Sequence, residues 1–207
     1  MHRNMTQAIV FDFDGVLHNT FELHLRTFNY LMRDGEFTAD DYRDLHDGNI
    51  YENTTLKHKT SLIDFSQYGE TIRSEFISQK IDTHIKTVIK HLSDAYSLFI
   101  ISSGRGRNIM SYLEQNGLGN AFVKVLGREV HESKIKKFHM VFDEYNLSPD
   151  NVIFITDTLG DILEGNEVGV KTIAVDFGFH ERERLKKGNP YAIISSFDEL
   201  ENYLVNN

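Results

Sequence analysis

From about residue 82 onward, short apolar runs and helical patterns take turns, and this alternation constrains the fold more than any other feature. Five runs rich in Val, Ile, Leu and Phe read as buried strands: AIVFDF (8–13), YSLFIIS (96–102), AFVKVLG (121–127), NVIFIT (151–156) and VKTIAV (170–175). Helical patterns lie between the later ones. NIMSYLEQNGL sets Ile109, Tyr112 and Leu113 on one side before Gly117 stops it, and LGDILEGNEVG stops at Gly169. KIKKFHMVFDEYNL spaces Ile135, Phe138, Phe142 and Tyr145 three or four apart. Strand period alternating with helix period means βαβ units, hence an α/β fold on a mostly parallel sheet. Residues 18–81 break the rhythm, with three or four amphipathic helices such as FELHLRTFNYLM and GETIRSEFISQKI and no convincing strand. They read as an all-helical cap (18–81) inserted into a core made of residues 1–17 and 82–207.

The 207 residues suffice for one sizeable core and a small second module. A net charge of −9 argues against nucleic acid, whose phosphates are bound mainly by Lys and Arg. It leaves room for a small anion in a locally positive pocket. The absence of cysteine removes disulfides, thiolate zinc sites and Cys nucleophiles. No window approaches the ~18 continuous apolar residues that span a bilayer, so no membrane partner is expected. The opening MHRNMTQ lacks the apolar stretch of a secretory signal, and a cytoplasmic enzyme or binding protein is the expectation.

Open parallel sheets bind ligands beyond the carboxyl ends of their strands. There the first strand is followed by Asp12, Asp14 and Gly15, and the second by Ser102, Ser103, Gly104 and Arg105. The fourth is followed by Thr156, Asp157 and Asp161, while Lys134 stands at a helix start before it. Carboxylates as close as Asp12 and Asp14 repel each other, so either a cation sits there or the pair is idle surface charge. Asp12, Asp14 and Asp157 together make a hard, oxygen-rich site suited to Mg²⁺. Ser102 and the N–H groups of a helix starting at Gly104 offer a phosphate seat, and Lys134 adds positive charge for the equatorial oxygens. An Asp carboxylate can itself attack phosphorus and divide hydrolysis into two easier steps.

These residues resemble the motifs of the haloacid dehalogenase (HAD) superfamily of phosphohydrolases. VFDFDGVL is similar to the family's DxDG(T/V) motif, LFIIS to its strand ending in Ser or Thr, HESKIKKF to its helix-heading Lys, and FITDTLGD to its DxxxD. Their order matches over nearly the whole chain. The resemblance implies a Rossmann-like three-layer α/β/α fold with a helical C1 cap, of the phosphoglycolate phosphatase-like and β-phosphoglucomutase-like subgroup. It implies Asp12 as nucleophile and Mg²⁺ ligand. Asp14 would give its backbone carbonyl to the metal, while its side chain acts first as a protonated acid and then as base. Asp157 would be a direct ligand supported by Asp161 and Gly15; Ser102, Ser103 and Lys134 would hold the phosphoryl group, and His24 would reach in from the cap hinge. The tail VDFGFHERERLKKGNPYAIISSFDEL is similar to that of related members, whose last short strand and helix follow the fifth strand. Thr156 stands where Gly is usual and Asn19 where Asp is frequent; neither position carries the chemistry. Lys136 and Lys137 lie beside Lys134, which is chosen on spacing.

Other patterns fit worse. A calcium loop fails because Gly follows Asp14 at once and position twelve is Leu23. SGRGRN has two of the three glycines of a dinucleotide site and no acid some 20 residues on. The ten histidines show no HExxH-type pairing, and most read as surface residues. The expected activity is therefore a Mg²⁺-dependent phosphatase for a small phosphorylated metabolite, a monomer or weak dimer. A sugar phosphomutase and a non-catalytic metabolite-binding protein of the same fold are the alternatives. Specificity is expected in the cap, with Arg26, Arg33, Arg43, His46 and Lys57 as candidates.

Overall fold

The computed structural model describes residues 6–54 and 56–206. Six parallel strands form one sheet: β1 (Ala8–Phe11), β2 (Ser97–Ile101), β3 (Lys124–Leu126), β4 (Val152–Thr156), β5 (Lys171–Val175) and β6 (Ala192–Ile194). Their order is β3-β2-β1-β4-β5-β6. Ala8 of β1 pairs with Ser97 on one side and Val152 on the other. The chain thus winds outward from β1 in both directions, and the crevice at such a switch point is where α/β sheets hold ligands.

All four β1 residues are buried, which is why the strand reads as an unbroken apolar run. Successive side chains face opposite layers. Ile9 and Phe11 meet α5 (Thr83–Ala95), α6 (Gly106–Gln115) and the last helix (Phe197–Asn206) through Val88, Tyr112 and Leu200. Ala8 and Val10 meet α7 (Lys134–Tyr145) and α8 (Leu159–Val168) through Phe138, Val141 and Val168. The result is the three-layer α/β/α arrangement the sequence implies. The strands are shorter than read: β1 ends at Phe11, and β3 covers three residues of AFVKVLG.

Between β1 and α5 lie α1 (Phe21–Leu31), α2 (Ala39–Leu45), α3 (Lys57–Thr60) and α4 (Phe65–Ser78), with α3 only one turn long. Helix starts follow from local chemistry. Thr38 and Asp41 form a reciprocal capping box at α2, and the Asp82 carboxylate accepts from His84 N at the start of α5. The inserted helices share an aromatic cluster of Phe21, Phe28, Phe37 and Tyr42, into which Phe179, on a loop after β5, is inserted from the core. Further ties close the insert over the sheet edge: Gly160 N donates to the His46 carbonyl (2.9 Å), and Asn49 Nδ2 donates to Glu164 Oε1 (3.2 Å). His180 accepts from Leu159 N at Nδ1 (3.0 Å) and donates from Nε2 to the Arg43 carbonyl (2.9 Å). Burial holds its imidazole at about 4, so at neutral pH this strut is uncharged. No helix among the described residues is long and apolar enough to cross a membrane.

Candidate active site

Asp12 follows β1 directly, and its backbone N–H still donates to the Ile155 carbonyl, which fixes the carboxyl end of the strand. Its Oδ1 accepts from Phe13 N (2.8 Å) and from Lys134 Nζ (2.9 Å). The same ammonium lies 2.6 Å from Asp161 Oδ2, which also accepts from Thr156 Oγ1 (2.7 Å). The structure thus brings Asp12, Lys134 and Asp161 into one buried cluster. Burial alone would lower the Lys134 ammonium, but the two carboxylates outweigh it and raise it. Thr156 contributes a hydroxyl here that a Gly could not, a contribution that sequence reading assigned to neither position of departure.

Asp14 is held differently. Its Oδ1 accepts from Thr20 Oγ1 (2.8 Å) and lies 3.2 Å from His24 Nε2, while His24 Nδ1 bonds the Tyr68 hydroxyl of α4. Burial pushes the Asp14 carboxyl up, but the His24 and Thr20 contacts prevail and leave it below the usual carboxylate value.

Ser102 ends β2. Its Oγ accepts from Gly104 N (2.8 Å) and its carbonyl accepts from Lys137 Nζ (2.7 Å). The following helix begins at Gly106, not Gly104, and the Gly106 N–H is already taken by Glu129 Oε2 (3.1 Å). The phosphate seat expected from the helix start is thus smaller than read. Ser103 presents its carbonyl to the Tyr51 hydroxyl of the insert (2.9 Å).

Asp157 is fully buried, with Oδ2 accepting from Phe179 N (2.6 Å) and Oδ1 without a partner. Burial pushes it up to about 8, the Phe179 amide opposing, and burial likewise raises Asp12 well above its ordinary value. An orphaned buried oxygen beside two raised carboxyls is chemistry that a cation would satisfy. Among the described residues no three His, Asp or Glu side chains converge on one point. Mg²⁺ takes one or two carboxylates, a carbonyl and waters. Asp12, Asp157 and the Asp14 carbonyl fit this donor set.

Gly15 makes the arrangement possible. It has φ +77°, and a Cβ there would lie 1.9 Å from Asp157 Oδ2 and 2.8 Å from Phe179 Cδ1. Gly15→Ala is expected to destabilise by about 2 kcal/mol or more and to abolish any Mg²⁺-induced rise in Tm. Gly35→Ala is the control: φ is +80°, but the nearest atom is 3.8 Å away, so only the backbone cost of about 1 kcal/mol applies. Equal losses in the two variants, by thermal melts, would refute the Asp157 contact as the cause.

A cavity of about 400 Å³ opens over these groups, lined from the core by Asp12, Asp14, Ser102, Lys134 and Asp161 and from the insert by Phe28, Tyr42, His46 and Tyr68. Of the expected specificity residues only His46 lines it. Arg26 pairs with Glu75 at the surface, Arg43 covers the Phe21 ring, and Arg33 and Lys57 are exposed. Helical spacing did not show which faces turn inward. Sequence reading also passed over Thr20, Tyr68, Phe179 and His180, which act through partners 6 to 44 residues away, or 137 for His180 and Arg43.

Fold and site together define a doubly wound α/β enzyme whose carboxylates and lysine gather under a helical lid. The sequence profile of the haloacid dehalogenase-like hydrolases matches residues 9–175. The chain belongs to that family and is a hydrolase. It is 23% identical to a phosphoglycolate phosphatase of Synechococcus elongatus, over 94% of this chain and 95% of that protein. It is 22% identical to the pyrophosphatase PpaX of Bacillus pumilus, over 97% of both. Among solved structures, a predicted phosphatase from Clostridium acetobutylicum superposes with a TM-score of 0.78 at 20% identity, covering 98% of this chain and all of that one. CbbY from Rhodobacter sphaeroides, solved with xylulose-(1,5)bisphosphate, gives 0.77 at 19%, covering 95% and 96%.

Proposed function

We propose that this hydrolase is a Mg²⁺-dependent phosphatase that cleaves a small phosphorylated metabolite through an aspartyl-phosphate on Asp12. One observation carries the reading: Asp12 opens into the cavity from the carboxyl end of the central strand, with Lys134 bridging it to Asp161. Relatives over the full length carry phosphatase and pyrophosphatase names, which supports it.

In this reading an Asp12 carboxylate oxygen attacks phosphorus, the P–O ester bond breaks, and the alcohol leaves with one proton. Water then attacks the phosphoryl group, giving up a proton, and phosphate departs as Asp12 is regenerated. Lys134 and Ser102 hold the phosphoryl oxygens. Asp14 is placed to give a proton to the leaving oxygen and then to take one from water, with Thr20 and His24 orienting its carboxyl. Asp12, Asp157 and the Asp14 carbonyl would hold Mg²⁺, with Asp161 and Gly15 in support; the ion supplies charge neutralisation for attack by one anion on another. Residues 1–17 and 82–207 form the catalytic core and 18–81 the cap that excludes water. The enzyme acts in the cytoplasm as a monomer or weak dimer.

Phosphate release from a panel of phosphorylated metabolites, with Mg²⁺ or with EDTA, tests this. Metal-dependent release is expected; release unaffected by EDTA would remove the metal from the reading.

The raised carboxyls add a second check. Asp157 lies near 8 when folded against 3.8 ordinarily, so the folded chain binds the extra proton between those values. The stability this brings is complete below 3.8 and lost as pH rises through about 8. Mg²⁺ competes with that proton, so the rise in Tm on adding Mg²⁺ should grow from about pH 5 to about pH 8. A gain that shrinks toward pH 8 in scanning calorimetry would contradict the ligand set.

A further inference from the structure

The wall that the inserted helices give the cavity is apolar and ringed. Phe28, Tyr42, Phe65, Tyr68 and Ile50 line it, and no Lys or Arg of residues 18–81 does. His46, which lines it too, donates from Nδ1 to the Tyr42 carbonyl (2.7 Å), and burial holds it at about 4, so it is neutral at physiological pH. The two guanidinium groups that reach the cavity, Arg105 and Arg128, come from core loops beside Ser103 and Gly104. Arg105 lies across Gly69 of α4, where a Cβ would be 2.5 Å from its Cζ. Cationic charge therefore stands around the phosphoryl end and, through Arg105, beside Gly69 of α4, while Phe28, Tyr42, Phe65 and Ile50 present rings and aliphatic carbon.

Size points the same way. About 400 Å³ lies within the range of pockets that enclose whole drug-sized ligands, and far exceeds what a phosphoryl group on a two-carbon acid fills. At the mouth Phe65 and Tyr51 leave 44% and 37% of their surface exposed. Phe65 also stands edge-on to Phe28 with centroids 5.5 Å apart, in direct contact, so the two rings form one continuous apolar face.

We propose that the alcohol part of the substrate is an uncharged, ring-bearing group seated against this wall, and not a short carboxylate-bearing or doubly phosphorylated one. The inference rests on the phosphatase reading and separates this chain in specificity from its phosphoglycolate phosphatase relatives. A carboxylate seated against Phe28, Tyr42 and Ile50 would lose its hydration on a face whose own side chains carry no cation. A ring would exchange water for aromatic faces.

The test compares kcat/KM for phenethyl phosphate, ethyl phosphate and phosphoglycolate. Phenethyl and ethyl phosphate share the same leaving oxygen, so their ratio reads the wall alone. Phenethyl phosphate is expected to exceed the other two by about 100-fold, since each buried methylene brings roughly tenfold or more. Phe65→Ala, at the rim, should raise KM for phenethyl phosphate about tenfold and leave ethyl phosphate unchanged. Ile50→Arg, which adds a cation to the wall, should shift preference toward phosphoglycolate. Phosphoglycolate preferred by the native enzyme, or a Phe65→Ala loss shared equally by all three esters, would overturn the inference while leaving the phosphatase standing. No phosphate from any ester, with Mg²⁺ present, would remove the phosphatase reading and this inference with it.

Discussion

Asp12→Asn is expected to lower turnover by at least about 10⁴-fold while raising, not lowering, thermal stability at pH near 8. The first effect follows from losing the nucleophile, since an amide cannot form the phosphoryl ester. The second follows from the environment. Burial, with Asp161 and Asp157 close by, makes an ionised Asp12 unfavourable in the metal-free protein. Asn fills the same volume, its oxygen still accepts from Phe13 N, and Lys134 keeps Asp161 as its partner. Stability stored against function in this way is common at active sites. Phosphate release and a thermal melt on the same preparation check both halves. Residual turnover within about tenfold of the native enzyme would mean that no covalent step passes through Asp12.

The parts of this molecule that were legible in the sequence are those with local signatures. Buried parallel strands are continuous apolar runs, so Ile9–Phe11 and Leu98–Ile101 announce themselves, and the residue after such a run must stand at the sheet edge. Asp12, Ser102 and Asp157 were readable for that reason. The cavity wall was not. A helix of residues 39–45 buries Tyr42 and Leu45 while Arg43 turns to Phe21, and sequence spacing alone leaves open which neighbour each face meets. Phe179 shows the limit most clearly. Its amide seats Asp157 and its ring joins the inserted aromatic cluster, yet it sits in a loop with no motif of its own. The surroundings of Asp14 were out of reach for a related reason. Proximity to other carboxylates was visible in DFD, but the His24 and Thr20 contacts that reverse the shift depend on how α1 returns over the strand end.

Of three neighbouring lysines, spacing alone had to choose one, and the structure gives each a distinct environment. Lys136 is exposed. Lys134 and Lys137, three apart in the first turn of α7, face the same way and are both buried, at 2% and 0% exposure. Lys134 is flanked by two carboxylates, whereas Lys137 has only the Ser102 carbonyl as acceptor, and burial, reinforced by Lys134, lowers it to about 8. The consequences of deleting them differ accordingly. Lys134→Met leaves Asp12 and Asp161 buried against each other without a cation, which should cost about 3–5 kcal/mol in metal-free protein and at least about 10³-fold in turnover. Lys137→Met strands no anion. It removes a cation that burial disfavours, at the loss of one hydrogen bond of about 1–3 kcal/mol to Ser102, so stability should change little and turnover should fall by no more than about tenfold. The ordering, more than either number, decides which lysine holds the phosphoryl group. If Lys137→Met were the more damaging to turnover at saturating substrate, the positive charge at the reacting phosphorus would have to come from Lys137, with Lys134 reduced to a structural counter-ion for Asp161.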